Sequence, residues 1–590
     1  MRKDAERFAS VLNRARAIVR DERFHHWQVA FPGVWSQWEE PALQGGFHAV
    51  IGNPPYVRQE LIKEIKPALK RGFPATYDGS ADLYVYFYEQ GLTLLRPGGR
   101  LSYVVTNKWM RAGYAEGLRE MFADQAWVEF VADFGHAKKF FPDADVFPSV
   151  VVVRKPTAGS PPEVSDVCVM PRDDVPEKGL HEAVLATTYS QQRRLFTKES
   201  WTLEPPAEAA LLEKLRRSGL PLAEFSRNTA YRGILTGLNE AYLIDGATKD
   251  RLVAEDPRAA EIIKPYLRGQ DIRRWISPPS GQFMILLKSS ADHEWPWSKL
   301  STEADAEACF RETYPGVYAR MKTHEDYTDT KGKVRGLRHR EDQGRCWWEL
   351  RPCGYYDLFS KPKISYQAIQ FHPRYSFESS EAYGNNKTFA FESDDLALLA
   401  VLNSPLLWWF SWRHFIHLKD EALSNDQVKI ATLPIADFAR QREEIDTAVR
   451  TIIIKTRDMR HLDSTVRDWL RLEFGVEKPK AVLSSPSALD ADAFISAVRA
   501  SLPKRRALSV ADVGRLQREH STSVEPSRLA RTDVFTLERR VSEAVNAAYG
   551  ITPEETQLMW RSAPPRMPFT PAGLSEADEE PDEETPDEEG

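Results

Sequence analysis

The sequence predicts an α/β fold, in which a sheet with alternating helices is followed by a mixed α/β region and then by helices. Three patterns support this prediction. Short apolar runs alternate with helical periodicity at 47–155, the aromatic-rich stretch 206–437 mixes both patterns, and residues 440–475 and 530–560 have apolar positions at helical spacing. Strands and helices that alternate as they do at 47–155 are typical of a mostly parallel, doubly wound sheet.

Each element of the first region follows from a local pattern. The run 150–153 is β-branched, and FHAVI ends at Gly52, as expected of short buried strands. The segment 82–95 places Tyr84 and Tyr88 on one helix face before the turn RPGG. The predicted strands are 47–51, 101–106, 127–134 and 150–153, and the predicted helices are 5–20, 82–95 and 114–122.

Composition excludes a membrane-spanning chain and predicts several domains. The 590 residues, with a mass of 67.3 kDa, exceed what one core accommodates, and the apolar runs are too short to cross a bilayer. Four cysteines without CxxC spacing predict a reducing cytoplasm and no metal site. Ten acids between Glu576 and Glu589 account for the net charge of −7, so the rest of the chain is mildly basic.

The string Asn53-Pro54-Pro55-Tyr56 is the feature with the clearest chemistry. It follows a predicted strand, and ligands of open parallel sheets bind beyond the carboxyl ends of the strands. The Asn53 side-chain oxygen and the Pro54 carbonyl can accept both hydrogens of an exocyclic amine, which makes its nitrogen nucleophilic. The prolines stiffen the loop, and Tyr56 offers a flat face to a planar base. A tight Asn-Pro turn without catalytic function is the alternative.

A resemblance to a known family rests on three segments in a fixed order. They are GGFHAVIGNPPYVRQE, ADLYVYFYEQGLTLLRPGGRLSYVVTNKWMRAGYAEGLREMF and FFPDADVFPSVVVVRK. Together they resemble the C-terminal part of gamma-type N6-adenine DNA methyltransferases of bacterial type II restriction-modification systems. The resemblance implies a Rossmann-like methyltransferase sheet, of which this chain contains the second half only.

The same resemblance implies functions for individual residues. Asn53 and Pro54 would bind the amino group of an adenine flipped out of the duplex, and Tyr56 would stack on that base. Phe141, which precedes a proline, matches the residue that packs on the other face of the base. Phe147 is a second candidate for that position, and a core-filling phenylalanine is the alternative for both.

The resemblance also implies S-adenosylmethionine as the methyl donor, but the sequence departs from the family pattern here. A Gly-rich cofactor loop is expected well upstream of the NPPY motif, and the only double glycine before Asn53 is Gly45-Gly46, directly beside the strand. The cofactor pocket is therefore expected to be incomplete, and the strand at 47–51 to be an unpaired hydrophobic edge. A separate polypeptide that supplies the first half, a truncated product and a start assigned too late are the alternatives.

Residues 206–437 resemble, more loosely, the target-recognition domain that follows this catalytic half. The matching strings include YRGILTGLNEAYLID at 231–245 and GNNKTFAF at 384–391. Cations interleaved with aromatic residues fit a surface that binds the phosphates of double-stranded DNA, and a solvated basic face is the alternative. The predicted DNA-binding residues are Arg335, Arg338, Arg340, Arg345, Arg351, Lys361 and Lys363.

These patterns predict an organisation and a function. The organisation is a partial catalytic domain at 1–155, a linker at 156–205, a recognition domain at 206–437, a helical region at 438–560 and a disordered acidic tail at 561–590. We expect a cytoplasmic, adenine-specific DNA methyltransferase of a restriction-modification or phage-defence system. A catalytically inactive DNA-recognition subunit is the alternative. The NPPY motif also serves methylation of RNA and of protein glutamine, which the long basic and aromatic region disfavours.

Overall fold

The computed structural model divides the chain into two compact units, Met1–Ala209 and Ala210–Gly590. The structure describes residues 2–21, 27–36, 44–135, 137, 139–141, 146–170, 175–328, 333–418, 422–503, 506–571 and 573–574. Within these ranges no helix is both long and apolar enough to cross a membrane.

The first unit contains a six-stranded sheet. Its strands are β1 (Phe47–Gly52), β2 (Leu95–Thr106), β3 (Trp127–Asp133), β4 (Pro148–Arg154), β5 (Val164–Val169) and β6 (Tyr189–Gln192), in the spatial order β1-β2-β4-β3-β5-β6. The α-helices of this unit are Arg2–Asp21, Trp27–Ala30, Lys66–Gly72, Tyr84–Thr93, Glu116–Gln125 and Leu180–Thr187. The helices and strands predicted between residues 5 and 153 are present.

Strand direction determines which residues share an edge of the sheet. Strands β1 and β2 are parallel, and β4 lies antiparallel between β2 and β3. Because β3 and β5 are parallel, β1, β2, β3 and β5 run in one direction while β4 and β6 are reversed. The carboxyl ends of β1, β2 and β3 therefore meet at one edge, immediately before the loop that begins at Asn53.

Close packing of a helix on the sheet explains one glycine of the first unit. Helix Tyr84–Thr93 buries Tyr84, Tyr88 and Leu92 against the core. A Cβ atom at Gly91 would lie 2.7 Å from both the Leu101 Cδ1 and the Tyr103 hydroxyl, so only glycine lets the helix approach β2 this closely. The helix is thereby held beside the carboxyl end of β1.

The segment before β1 packs on that strand instead of forming a simple connector. The rings of Trp27, Phe31 and Trp35 surround Phe47, with centroid distances of 6.1, 5.4 and 5.2 Å. Farther along β1 the Ile51 side chain is 85% exposed. Among the described residues β1 pairs with β2 alone, so its other side is an edge.

The prediction of a linker at 156–205 was wrong. Strands β5 and β6 and helix Leu180–Thr187 lie within it and complete the sheet. The string TAGSPPEV that suggested a linker ends where β5 begins, and the strand VSDVCV buries Ser165, Val167 and Cys168. Polar sequence on both sides of a short strand concealed an element that belongs to the first unit.

The second unit contains two four-stranded sheets. One has the order Tyr231–Arg232, Thr388–Glu392, Lys363–Gln367 and Tyr375–Glu378, and the other Leu243–Asp245, Gln282–Ile285, Ile263–Leu267 and Tyr383–Gly384. A separate hairpin pairs Tyr327–Thr328 with Val334–Arg335. The helices are Pro206–Arg217, which begins in the first unit, Leu222–Ser226, Asn239–Tyr242, Gly246–Glu255, Glu303–Thr313, Pro315–Thr323, Leu396–Leu402, Pro405–His414, Gln427–Ala431, Arg442–Phe474, Ala491–Ser501, Val510–Glu519, Glu525–Ala548 and Pro553–Arg561.

The C-terminal helices share a core with the predicted recognition region. Ile445 and Val449 of helix Arg442–Phe474 and Val541 of helix Glu525–Ala548 pack in the same cluster as Ile364 and Trp409. The boundary predicted at 437–438 therefore separates no independent core. These amphipathic helices bury their apolar faces on the sheet instead of standing apart from it.

The predicted start of the acidic tail, at residue 561, was too early. Met567 and Phe569 are buried, and the rings of Trp560 and Phe569 lie 5.8 Å apart. The segment just after 561 is thus part of the packed unit. The acidic run predicted to be disordered, 576–589, lies outside the described residues.

Candidate functional site

The Asn53–Tyr56 loop begins where β1 ends. Asn53 and Pro55 are exposed, Pro54 is buried and Tyr56 is half-buried. The Tyr56 hydroxyl donates a hydrogen bond of 2.9 Å to the carbonyl of Val104 near the carboxyl end of β2. This bond fixes the direction of the Tyr56 ring, while burial raises the pKa of its phenol and keeps it neutral.

A second anchor holds the loop from the opposite end. The Gln59 amide donates a 3.1 Å hydrogen bond to the Asp82 carboxylate, and the Leu83 amide donates to the Val57 carbonyl at 3.0 Å. Burial is the largest influence on Asp82 and raises the pKa of its carboxyl, which the bond from Gln59 opposes. Asp82 thus positions the loop after the motif.

Aromatic rings surround Tyr56. Its centroid lies 6.5 Å from that of Tyr84 and 6.3 Å from that of Phe141, with interplanar angles of 75° and 86°. Phe147, the other candidate, is buried in the core, and its carbonyl accepts a hydrogen bond from the Asn107 amide. Phe141 is therefore the phenylalanine that the structure brings to the loop.

Sequence reasoning missed the layer behind Tyr56. The hydroxyls of Tyr84 and Tyr114 lie 2.8 Å apart, and burial raises the pKa of Tyr114 to about 12. Both phenols are neutral at ordinary pH and support Tyr56 through a fixed contact. The signal was the tyrosine run of helix Tyr84–Thr93, which predicted a helix face but not the contact with Tyr56.

The described residues do not fit an S-adenosylmethionine pocket. The double glycine before β1 serves packing, because Cβ atoms at Gly45 and Gly46 would lie 2.4 Å from the Val34 carbonyl oxygen and the Arg96 amide nitrogen. Both glycines have positive φ values, of 115° and 121°, that close the turn into β1. In the described part of the chain no other strand lies beside β1 to provide the far wall of a pocket.

Two of the seven predicted DNA-binding cations are buried and serve the fold. The Arg340 guanidinium donates to the carbonyls of Leu337, Thr236, Trp347 and Glu349 at 2.7–3.2 Å. The Lys363 ammonium donates to the carbonyls of Phe359, Lys361 and Ser380, and burial lowers its pKa to about 8. Groups that are enclosed in this way cannot reach a phosphate, so the prediction that Arg340 and Lys363 bind DNA was wrong.

The other five cations differ in accessibility. Arg338 forms ion pairs with Glu303, Glu307 and Glu325 and lies over the Trp347 ring. Arg351 pairs with Asp342, and Lys361 pairs with Glu392. Arg345 is exposed but donates to the carbonyls of Ser298 and Leu300, and Arg335 is exposed on the hairpin. The structure therefore does not bring these seven residues together as one basic face.

A buried carboxylate, that of Glu349, lies among these cations in the chain, and the sequence did not predict its function. Glu349 accepts hydrogen bonds from the Ser290 amide, the Trp297 indole nitrogen and the Arg345 amide at 2.9–3.0 Å. Its side chain is fully buried, so these donors replace the water that it loses on folding. The sequence gives no pattern for this function, because the donors lie up to 59 positions away.

Comparison with known proteins shows which families this chain resembles. Residues 3–141 match the family model of the Eco57I restriction-modification methylase, and residues 439–545 match a family described only as a domain of unknown function. The chain resembles the gamma-type methylases of restriction-modification systems, which confirms the resemblance that the motifs predicted.

Individual relatives are type II methyltransferases. M.XhoI of Xanthomonas vasicola is 30% identical over 281 residues, which cover 45% of this chain and 50% of that protein. M.PaeR7I of Pseudomonas aeruginosa is 25% identical over 388 residues, covering 62% of this chain and 60% of that protein. The chain thus spans about half the length of these relatives. A solved structure of the type IIL restriction-modification enzyme MmeI in complex with DNA covers 87% of this chain and 56% of its own, with 11% identity and a TM-score of 0.47.

Proposed function

We propose that this chain is the base-binding and DNA-recognition part of an adenine-specific DNA methyltransferase of a restriction-modification system, active in the cytoplasm. One observation carries the proposal. The loop Asn53–Tyr56 lies at the carboxyl end of β1, with the Tyr56 ring fixed by Val104 and with Phe141 in contact. The exposed Asn53 side chain and the fixed Tyr56 ring are two of the groups that the chemistry of an exocyclic amine needs.

The residues of the loop divide the work. The Asn53 side-chain oxygen and the Pro54 carbonyl accept the two hydrogens of the adenine amine, and Pro55 restricts the loop. Tyr56 stacks on the base after it leaves the duplex, and Phe141 covers the other face. Since the rings of Tyr56 and Phe141 are in edge-to-face contact, Phe141 has to turn aside before a base can lie between them.

S-adenosylmethionine would supply the methyl group, and the described residues do not fit its pocket. The proposal assigns most of that cofactor's pocket to polypeptide that pairs with the exposed edge of β1, whether it belongs to the same protein or to another. Unpaired backbone groups and the exposed Ile51 make this edge a surface for strand addition. The isolated chain is accordingly expected to bind the cofactor weakly or not at all in calorimetry.

Double-stranded DNA is the proposed partner of the second unit. Arg335, Arg345, Arg351 and Lys361 have exposed or partly exposed side chains and remain candidates for phosphate contacts. Arg338 is already neutralised by carboxylates, so its contribution is to hold the base of the hairpin.

Co-expression tests the proposal. The chain would be produced in bacterial cells together with the reading frame that precedes it in its genome, and N6-methyladenine would be mapped in the cellular DNA by long-read sequencing. Methylation at one fixed sequence, absent when either partner is omitted, is the expected result. The same mixture without methylation, but with sequence-specific duplex binding, would instead support a catalytically inactive recognition subunit, which the poor fit of the described residues to a cofactor pocket favours.

A further inference from the structure

A pair of stacked tyrosines lies at the surface of the second unit. The rings of Tyr231 and Tyr355 are 4.5 Å apart with an interplanar angle of 22°. Tyr231 is 39% exposed and Tyr355 is half-buried, so one ring rests on the protein and the other faces solvent. Aromatic rings held in this way present a large contact area that loses little conformational freedom on binding.

Two arginines flank the ring pair. Arg232 follows Tyr231 directly, is exposed and lies with its guanidinium carbon 5.4 Å from the centre of the Phe389 ring. Arg351 is partly exposed and pairs with Asp342 at 3.3 Å. Burial is the main reason that the pKa of the Tyr355 phenol rises to about 12, and the charges of Arg351 and Arg232 act in the opposite direction. Arg232 follows Tyr231 and Arg351 precedes Tyr355 by four positions, so both arginines lie in the segments that carry the ring pair.

The backbone under this pair is packed too tightly for any side chain. A Cβ atom at Gly233 would lie 2.1 Å from the Asn385 carbonyl oxygen. The Gly233 amide donates a 2.9 Å hydrogen bond to the Thr388 carbonyl. The Ile234 amide donates to the Gly384 carbonyl at 2.7 Å. Exposed Lys387 lies in the turn between these partners. Tyr231 and Arg232 are consequently held on a rigid platform, which explains why a glycine follows them in the string YRG.

We propose that Tyr231, Arg232, Tyr355 and Arg351 form a contact surface for the sugar-phosphate backbone of duplex DNA. The inference rests on the DNA recognition proposed above and assigns it to residues outside the basic stretch 335–345. Guanidinium groups neutralise phosphates, the hydroxyl of the partly exposed Tyr231 would donate to a phosphate oxygen, and a rigid platform fixes the register of the strand. Contacts of this kind position the duplex without reading its sequence.

Binding of a labelled duplex across a series of salt concentrations tests the surface. In the full chain, Arg232→Gln is expected to weaken binding severalfold and to lower the slope of log K against log salt by about one. Tyr231→Ala weakens binding severalfold at each salt concentration, and Tyr231→Phe, which keeps the stacking, loses only the share that the hydroxyl contributes. Melting temperatures measured in parallel confirm that each variant is folded.

Matched controls separate a local contact from loss of charge or of an aromatic ring. Arg217→Gln removes an arginine that is 79% exposed and pairs with Glu213, and Tyr327→Ala removes a tyrosine that is 40% exposed on the hairpin. Both controls are expected to leave a larger fraction of the affinity intact than the corresponding surface variants. An equal loss in Arg217→Gln and Arg232→Gln would overturn the proposed surface.

The outcomes distinguish this inference from the proposed function. Wild-type binding with a steep salt dependence, together with unchanged binding by Arg232→Gln and Tyr231→Ala, overturns the surface and leaves the DNA-binding function in place. Failure of the wild-type chain to bind any duplex, even at low salt, contradicts the proposed function and the surface together. If the variants instead lose only an interaction with another protein, the surface is a protein interface and the proposal is wrong.

Discussion

The Asn53–Tyr56 loop and the 335–363 segment both carry hydrogen-bonding groups. The loop leaves one of these groups exposed, whereas the segment turns several of them towards other groups of the protein. In the loop, the scaffold binds the Tyr56 hydroxyl and leaves the Asn53 side chain exposed. In the segment, Arg340 and Lys363 turn inward to backbone carbonyls, and Arg338 turns towards carboxylates. A group is available to a ligand only when the fold has satisfied its neighbours and not the group itself.

The largest expected effect comes from removing a cation that serves the fold. Arg340→Met leaves four buried carbonyls without their donor, and we expect a loss of at least about 3 kcal/mol in the free energy of unfolding, measured by urea denaturation. Arg335→Met is the matched control, because its side chain is exposed on the hairpin. It is expected to change stability by less than about 0.5 kcal/mol. Equal losses in both variants would contradict the distinction between inward and outward cations.

The two phenylalanines sharpen the comparison within the first unit. Phe147→Ala creates a cavity in the core and should cost about 3–5 kcal/mol of stability. Phe141→Ala removes a half-buried ring beside Tyr56, so it should cost much less stability but lower the methylation of the complemented enzyme. Thermal unfolding and methylation assays on the same two variants test this, and the reverse pattern would assign the base contact to Phe147.

The lowered pKa of Lys363 predicts that the stability of the folded chain depends on pH. Its pKa of about 8 in the folded chain lies below the value of 10.5 for an unperturbed lysine. Between these values the unfolded chain binds more protons, so the cost of burying the charge is present below about pH 8 and is relieved as pH rises towards 10.5. We expect the stability of wild type relative to Lys363→Met to increase by up to about 3 kcal/mol over this window, measured by urea unfolding. A constant difference would show that Lys363 titrates normally.

The smallest effect is expected at the Tyr56 hydroxyl. Tyr56→Phe keeps the ring and its contacts but loses the hydrogen bond to the Val104 carbonyl. The net contribution of such a bond is about 1 kcal/mol, so stability falls slightly and base stacking persists. Methylation should fall by no more than about tenfold in Tyr56→Phe and far more in Tyr56→Ala. Equal activities of these two variants would show that stacking by Tyr56 is not needed.

The loop was predictable from sequence because its chemistry belongs to four consecutive residues after a strand. Strand β1, helix Tyr84–Thr93 and Tyr56 could likewise be placed by local patterns. Partners distant along the chain could not be placed. Arg340 donates to Thr236, and Arg338 pairs with Glu303. A run of cations in the sequence therefore does not indicate which of them bond to other groups of the protein.

Short strands between polar segments are the other class of missed features. Strand β5 has six residues and strand β6 has four. Their pairing depends on the neighbouring strands of the sheet more than on their own composition. The aromatic residues Trp27, Phe31 and Trp35 similarly gain their function only when Phe47 is beside them. Composition suggested a linker at 156–205, where tertiary contacts form strands and a helix.

Asn53→Ala in the complemented enzyme tests the central claim most directly. Methyl transfer to adenine and affinity for the duplex would be measured on the same preparation. The account predicts that methylation is abolished while duplex affinity stays nearly unchanged, because Asn53 accepts hydrogens from the base and the second unit binds the duplex. Wild-type methylation by the variant would contradict the assignment of the Asn53–Tyr56 loop as the base-binding site.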